Sequence, residues 1–138
     1  MSNVIDEFGE NAGKIWKALN SKGPLSQTKL INTTLLNEQQ LHAAVGWLAR
    51  ENKICQNGSV YKIGGTNLEG KIGLNAGKVW MALAKQQTDV EISSLVRLTR
   101  INVNNVFAAI GWLARENKIE IKNEINKKKS KMKINLKS

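Results

Sequence analysis

The sequence predicts a mainly α-helical protein with small β hairpins (an α+β chain), built from two tandem copies of one unit packed as an internal pseudo-dimer. Three observations predict it. The string Gly-Trp-Leu-Ala-Arg-Glu-Asn-Lys-Ile occurs twice, as Gly46–Ile54 and as Gly111–Ile119. Upstream, Asn11-Ala12-Gly13-Lys14-Ile15-Trp16 returns as Asn75-Ala76-Gly77-Lys78-Val79-Trp80, followed by Ala18-Leu19 against Ala82-Leu83. The first block repeats at an offset of 64 and the second at 65, so one residue is inserted between them in the second copy. A self-similar period of this kind decides architecture before any local preference does. Finally, the apolar spacing inside each copy changes from helical to alternating at one place, after Ile54 and after Ile119. The units divide at residues 1–66 and 67–138. Copies of about 65 residues are at the lower limit for burying a core alone, and packing one on the other relieves that.

Each copy opens on a helix. Ile15, Trp16 and Leu19, and then Val79, Trp80 and Leu83, form a stripe with one buried face, which puts Trp16 and Trp80 in the core. The first helix is expected over about Asn11–Asn20, ending before Gly23-Pro24, whereas the second copy has only the polar gap Gln86-Gln87-Thr88-Asp89. A short second helix follows, with Ser26 as N-cap and Leu30, Ile31 and Thr34 inward, matched by Leu95, Val96 and Thr99. Leu25 and Val90 just before it are placed for very short strands. The third helix starts at an asparagine in both copies. Asn37 with Gln40 makes a capping box, and Asn102 keeps only the cap. Leu41, Val45 and Leu48, or Val106, Ile110 and Leu113, are its buried face.

After the third helix comes a hairpin. In copy one, Asn57-Gly58 is the favoured two-residue turn between Ile54-Cys55-Gln56 and Ser59–Ile63. In copy two, alternating apolar residues from Ile119 to Ile125 and from Met132 to Leu136 flank a lysine-rich tip, Asn126–Lys131. Helix, short helix, helix and hairpin is the winged helix-turn-helix order. The Asn-Ala-Gly-Lys-Ile/Val-Trp opening, the Ala-Ala-Val/Ile-Gly-Trp-Leu-Ala-Arg-Glu-Asn-Lys-Ile third helix and the hairpin resemble a small bacterial and archaeal winged helix-turn-helix family of unknown function. The resemblance covers Phe8–Ile63 and Ile72–Leu136. It implies a unit that self-associates, in a family with no settled activity.

Charge and composition narrow the function classes. The net charge is +10, but from Lys122 onward seven lysines face one glutamate, so most of the excess is local. One cysteine (Cys55) and one histidine (His42) leave no disulfide framework, zinc cluster or catalytic pair. His42 aligns with Phe107, which points to packing. No cofactor or metal is expected, and the chain reads as a cytoplasmic protein without a signal peptide or membrane span.

The third helix supports two uses. Its outward face carries Gln39, Gln40 and Arg50 in copy one and Asn104, Asn105 and Arg115 in copy two; Gln and Asn pair with adenine and Arg with guanine in a major groove. The centre of that same face is Ala43 and Gly46, or Ala108 and Gly111, flanked by Trp47 and Trp112. A small, uncharged ridge suits close helix packing, between the repeats or with a partner. Copy two is the more DNA-like half, because Lys127, Lys128, Lys129 and Lys131 lie at the hairpin tip. Arg97 and Arg100 stand where copy one has Asn32 and Leu35. The expected function is a non-enzymatic tandem DNA-binding protein, a transcription regulator or chromosome-associated factor that contacts double-stranded DNA mainly through repeat 2. The alternative is a protein–protein interaction module that uses the same fold without reading sequence.

Overall fold

The computed structural model describes residues 3–125 and 130–137, with side chains left undescribed at 124, 125, 130 and 131. Helix α1 runs from Val4 to Lys22, and Asn3 caps it by accepting a hydrogen bond from the Asp6 amide. It therefore begins seven residues ahead of the expected Asn11, because Val4, Phe8, Asn11, Ala12 and Ile15 continue one buried stripe upstream of the repeated block. Strand β1 (Leu25–Ser26) leads into α2 (Gln27–Thr34), whose N-cap is Ser26. The complete capping box of Asn37 and Gln40 starts α3 (Glu38–Arg50). Strands β2 (Ile54–Asn57) and β3 (Val60–Ile63) form the hairpin, and β1 adds to β3, giving the order β1-β3-β2. The turn lies one residue later than expected. Asn57 pairs with Val60, so Gly58 and Ser59 are the central residues, and Gly58 alone takes positive φ, at 60°. That is the demand of a type II′ turn, with glycine first, rather than of Asn-Gly in type I′.

The second repeat retraces this path. A π-helical turn (Glu69–Gly73) continues directly into α4 (Leu74–Gln86). The inserted residue falls in the loop after α4, where Gln87 is left-handed at φ 55°. Then come β4 (Val90–Glu91), α5 (Ile92–Thr99), α6 (Val103–Arg115), β5 (Ile119–Ile125) and β6 (Ser130–Leu136), with sheet order β4-β6-β5. Asn102 caps α6 without a capping box, as Asn105 cannot span the return contact that Gln40 makes. The protein is mainly helical, with two three-stranded antiparallel sheets in two winged units packed together.

The two hydrophobic cores are not confined to their own repeats. Val4 and Phe8, at the start of α1, are buried in the core of repeat 2 with Val106, Phe107, Ile119 and Ile134. Leu68 and Ile72, at the start of the second copy, are buried in the core of repeat 1 with Leu30, Leu41, Ile54 and Tyr61. Each repeat thus lends the first turn of its opening helix to the other. Trp16 and Trp80 correct the expectation that they are core: they are 37% and 42% exposed. The stripe that is buried runs through Ala12, Ile15 and Leu19 or Ala76, Val79 and Leu83, and a residue one position beyond Ile15 or Val79 is turned about 100° away from it.

Candidate nucleic-acid interface

The faces of α3 and α6 expected to point outward lie against each other. Ala43, Gly46, Ala108 and Gly111 are all buried. A Cβ added at Gly46 would overlap the carbonyl oxygen of Ala108 and come within 2.7 Å of its carbonyl carbon; one added at Gly111 would do the same to Ala43. Backbone meets backbone twice, through equivalent residues, as a two-fold seam requires. Only glycine permits that approach, which explains why both copies carry it inside a helix despite a cost of roughly 1 kcal/mol against alanine.

The rim of the seam is equally reciprocal. Arg50 Nε donates to Glu116 Oε2 at 3.1 Å, and Arg115 Nε donates to Glu51 Oε2 at 3.0 Å. The Arg50 guanidinium lies over the Trp112 ring at 5.7 Å, and that of Arg115 over Trp47 at 5.8 Å. Lys53 and Lys118 approach the same carboxylates at 3.7 and 3.6 Å. Each tryptophan in turn lies against the opening helix of its own repeat: a Cβ on Gly9 would stand 3.2 Å from Trp47, and one on Gly73 3.3 Å from Trp112. The arginines are part-exposed, so each pair with its cation–π contact is worth about 1 kcal/mol.

The sequence-derived DNA candidates fall into four groups. Arg50 and Arg115 face the seam and are engaged there. Among the amide side chains, Gln40 accepts from the Asn37 amide within the capping box, Asn104 Nδ2 donates to Glu38 at 3.1 Å, and Asn105 is half-buried. Gln39 is exposed and makes no hydrogen bond among the described residues. Arg97 and Arg100 are exposed and form no ion pair among the described residues, Arg100 at the left-handed C-cap of α5. Lys127, Lys128 and Lys129 lie outside the described residues, as does the side chain of Lys131; the strands that lead to them pair as far as Ile125 with Ser130. Sequence reading missed Glu51 and Glu116, although both sit inside the repeated string, because their partners are 64 and 66 positions away. It also missed Asp89, which accepts from Lys122 and Asn135 at 3.3 and 2.7 Å and secures the base of the second wing.

Residues 1–63 and 68–134 match the winged helix-turn-helix domain (DUF2582). The chain belongs to that family. This DUF2582 protein is similar to an uncharacterized protein of Methanocaldococcus jannaschii, 45% identical over 51 residues, which span 36% of this chain and 73% of the relative. No solved structure matches it significantly. Among the described residues no helix is long and apolar enough to cross a membrane, and no three His, Cys, Asp or Glu side chains cluster as metal ligands.

His42 is half-buried and its Nε2 has no hydrogen-bond partner among the described residues. Burial pushes its pKa below the ordinary 6.5, opposed by Glu38 and assisted by Lys71. The folded state favours the neutral ring, so the unfolded chain binds the proton more readily. Stability from this group is full above pH 6.5 and falls as pH drops below that value towards the lowered pKa. Thermal melts between pH 7.5 and 5 should show this decline, and His42→Phe, which copies Phe107, should remove the His42 share of it.

Proposed function

We propose that the DUF2582 protein binds double-stranded DNA through the phosphate backbone rather than by reading bases, with repeat 2 as the contacting half. The observation that carries this reading is the sealed seam. The centres of both third helices are occupied by each other, and Arg50 and Arg115 are paired with Glu116 and Glu51. Of the basic candidates, Arg97 and Arg100 are exposed and form no ion pair among the described residues, and the sequence adds Lys127, Lys128, Lys129 and Lys131 in the same repeat. Contacts of this kind position a protein without specifying sequence. A chromosome-associated or weakly specific regulatory role follows, with no catalytic step.

A duplex-DNA salt titration tests it. Roughly 4–6 neutralised phosphates would give log K a slope of about −4 to −5 against log salt. Changing Lys127, Lys128, Lys129 and Lys131 together to Ala should weaken binding equally on unrelated sequences and flatten that slope. Equal affinity and slope for wild type and variant would reject the wing as the contact.

One observation favours docking of a protein instead. Met81 on α4 and Leu98 on α5 are exposed and line a cavity of about 320 Å³ with Lys78 and Lys85 at its edge. Repeat 1 has Lys17 and Thr33 at the two apolar positions. An acidic amphipathic helix would suit this groove. Amide shifts at Met81 and Leu98, with none at Arg97, Arg100 or the second wing on adding DNA, would favour that reading.

A further inference from the structure

The pseudo-two-fold supplies an internal comparison for one cavity. A space of about 180 Å³ opens where α3 and β3 of repeat 1 meet the π-helical turn and α6 of repeat 2. Its polar wall is made by Gln27, His42, Gln56, Tyr61, Lys71 and Asn105. His42 Nε2 is buried there without a hydrogen-bond partner among the described residues.

At the equivalent place on the other side of the seam, four of these positions are apolar: Gln27 corresponds to Ile92, His42 to Phe107, Gln56 to Ile121 and Tyr61 to Ile134. The strand register confirms the last two, since Tyr61 pairs with Leu25 and Gln56 while Ile134 pairs with Val90 and Ile121. Phe107 and Ile134 are buried there in one apolar cluster with Val4 and Phe8, and Ile92 and Ile121 pack against it. The same location is therefore closed core on one side and a polar hollow on the other. Folding does not demand the polar set, and leaving a buried nitrogen unpaired is unfavourable. A polar lining that the fold does not need, around a space it could have filled, is what a ligand site requires.

We propose that this cavity binds a small organic carboxylate, with its charge at Lys71 and its body hydrogen-bonded to the amides and to His42. Lys71 is exposed and stands at the mouth, while Val45, Leu68, Ile72 and Ala108 form apolar walls. Glu38, the carboxylate that acts on His42, accepts hydrogen bonds from Gln27 and Asn104, and no ion pair joins it to Lys71 among the described residues. The space is smaller than the ~300 Å³ at which drug-sized pockets begin, which sets the ligand at metabolite size. Because the walls come from both repeats, occupancy would bear directly on the seam.

Titration of the full-length protein, followed by NMR, tests the site with nicotinate, 2-oxoglutarate and inorganic phosphate as probes and nicotinamide as the uncharged control. The expected result is saturable shifts of the Gln27, Gln56 and Asn105 side-chain amides and the His42 ring with at least one of the two carboxylates. Lys71→Ala should weaken that binding by about tenfold. His42→Phe, which installs the residue the other side already carries and so keeps the fold, should abolish it. No saturable shift with either carboxylate, equal binding of nicotinamide and nicotinate, or undiminished binding by His42→Phe would each overturn the proposal.

Discussion

Gly46→Ala and Gly111→Ala are each expected to destabilise the protein by about 3 kcal/mol or more, at the upper end of overpacking costs. Ordinarily the sign is the reverse: replacing glycine by alanine inside a helix gains roughly 1 kcal/mol. Here the added methyl would collide with the backbone carbonyl of Ala108 or Ala43, and no side chain can swing aside to admit it. Relief requires α3 and α6 to separate along their whole contact, which exposes both cores. Gly13→Ala and Gly77→Ala are the controls. They occupy the equivalent exposed sites on α1 and α4, and no described residue lies within 4 Å of an added Cβ. Those two substitutions should stabilise by about 0.5–1 kcal/mol. Urea unfolding of the four variants tests the seam, and a Gly46→Ala or Gly111→Ala protein as stable as wild type would show that the helices do not meet there.

Separating the repeats should have the second large effect. A fragment of residues 1–66 lacks Leu68 and Ile72 from its core and leaves Val4 and Phe8 without the core they fill. A fragment of residues 67–138 loses the converse pair. Removing one buried phenylalanine alone costs about 3–5 kcal/mol, a large fraction of the stability of a small domain. Each fragment alone at low concentration should therefore lack a cooperative melt, and mixing the two should restore one as a 1:1 complex. Calorimetry and sedimentation of the separate and mixed fragments check this. Two monomeric fragments that each melt cooperatively would contradict it.

Both effects bear on what could be read in the sequence. The duplicated string and the change of period after Ile54 and Ile119 made the units and their element order legible, because periodicity reports local structure and each unit is locally consistent. The Ala43–Gly46 and Ala108–Gly111 ridge was also legible, since glycine inside a helix needs a reason. What covers that ridge was not: a small uncharged face permits either packing or a shallow approach to another surface. The exchange of opening turns was invisible for a related cause. Phe8 continues the same stripe as Ile15, and spacing along a helix says nothing about which copy receives it. Trp16 and Trp80 misled because an i, i+1, i+4 stripe was read as one buried face, while a residue one position beyond Ile15 or Val79 is turned about 100° away from it. The pairs Arg50–Glu116 and Arg115–Glu51 depend on a two-fold contact between distant segments, which no local window contains.

Phosphate-backbone binding by repeat 2 requires the seam to stay closed while DNA is bound. Its most direct test is to measure nuclear Overhauser contacts between the α-protons of Gly46 and Ala108, and of Gly111 and Ala43, before and after saturation with duplex DNA. These contacts should be present in the free protein and unchanged in the complex, while the amides of Arg97, Arg100 and the second wing shift. Loss of the contacts on adding DNA, with shifts at Ala43, Gly46, Ala108 and Gly111, would contradict it. That result would mean that the third helices part to enter the groove.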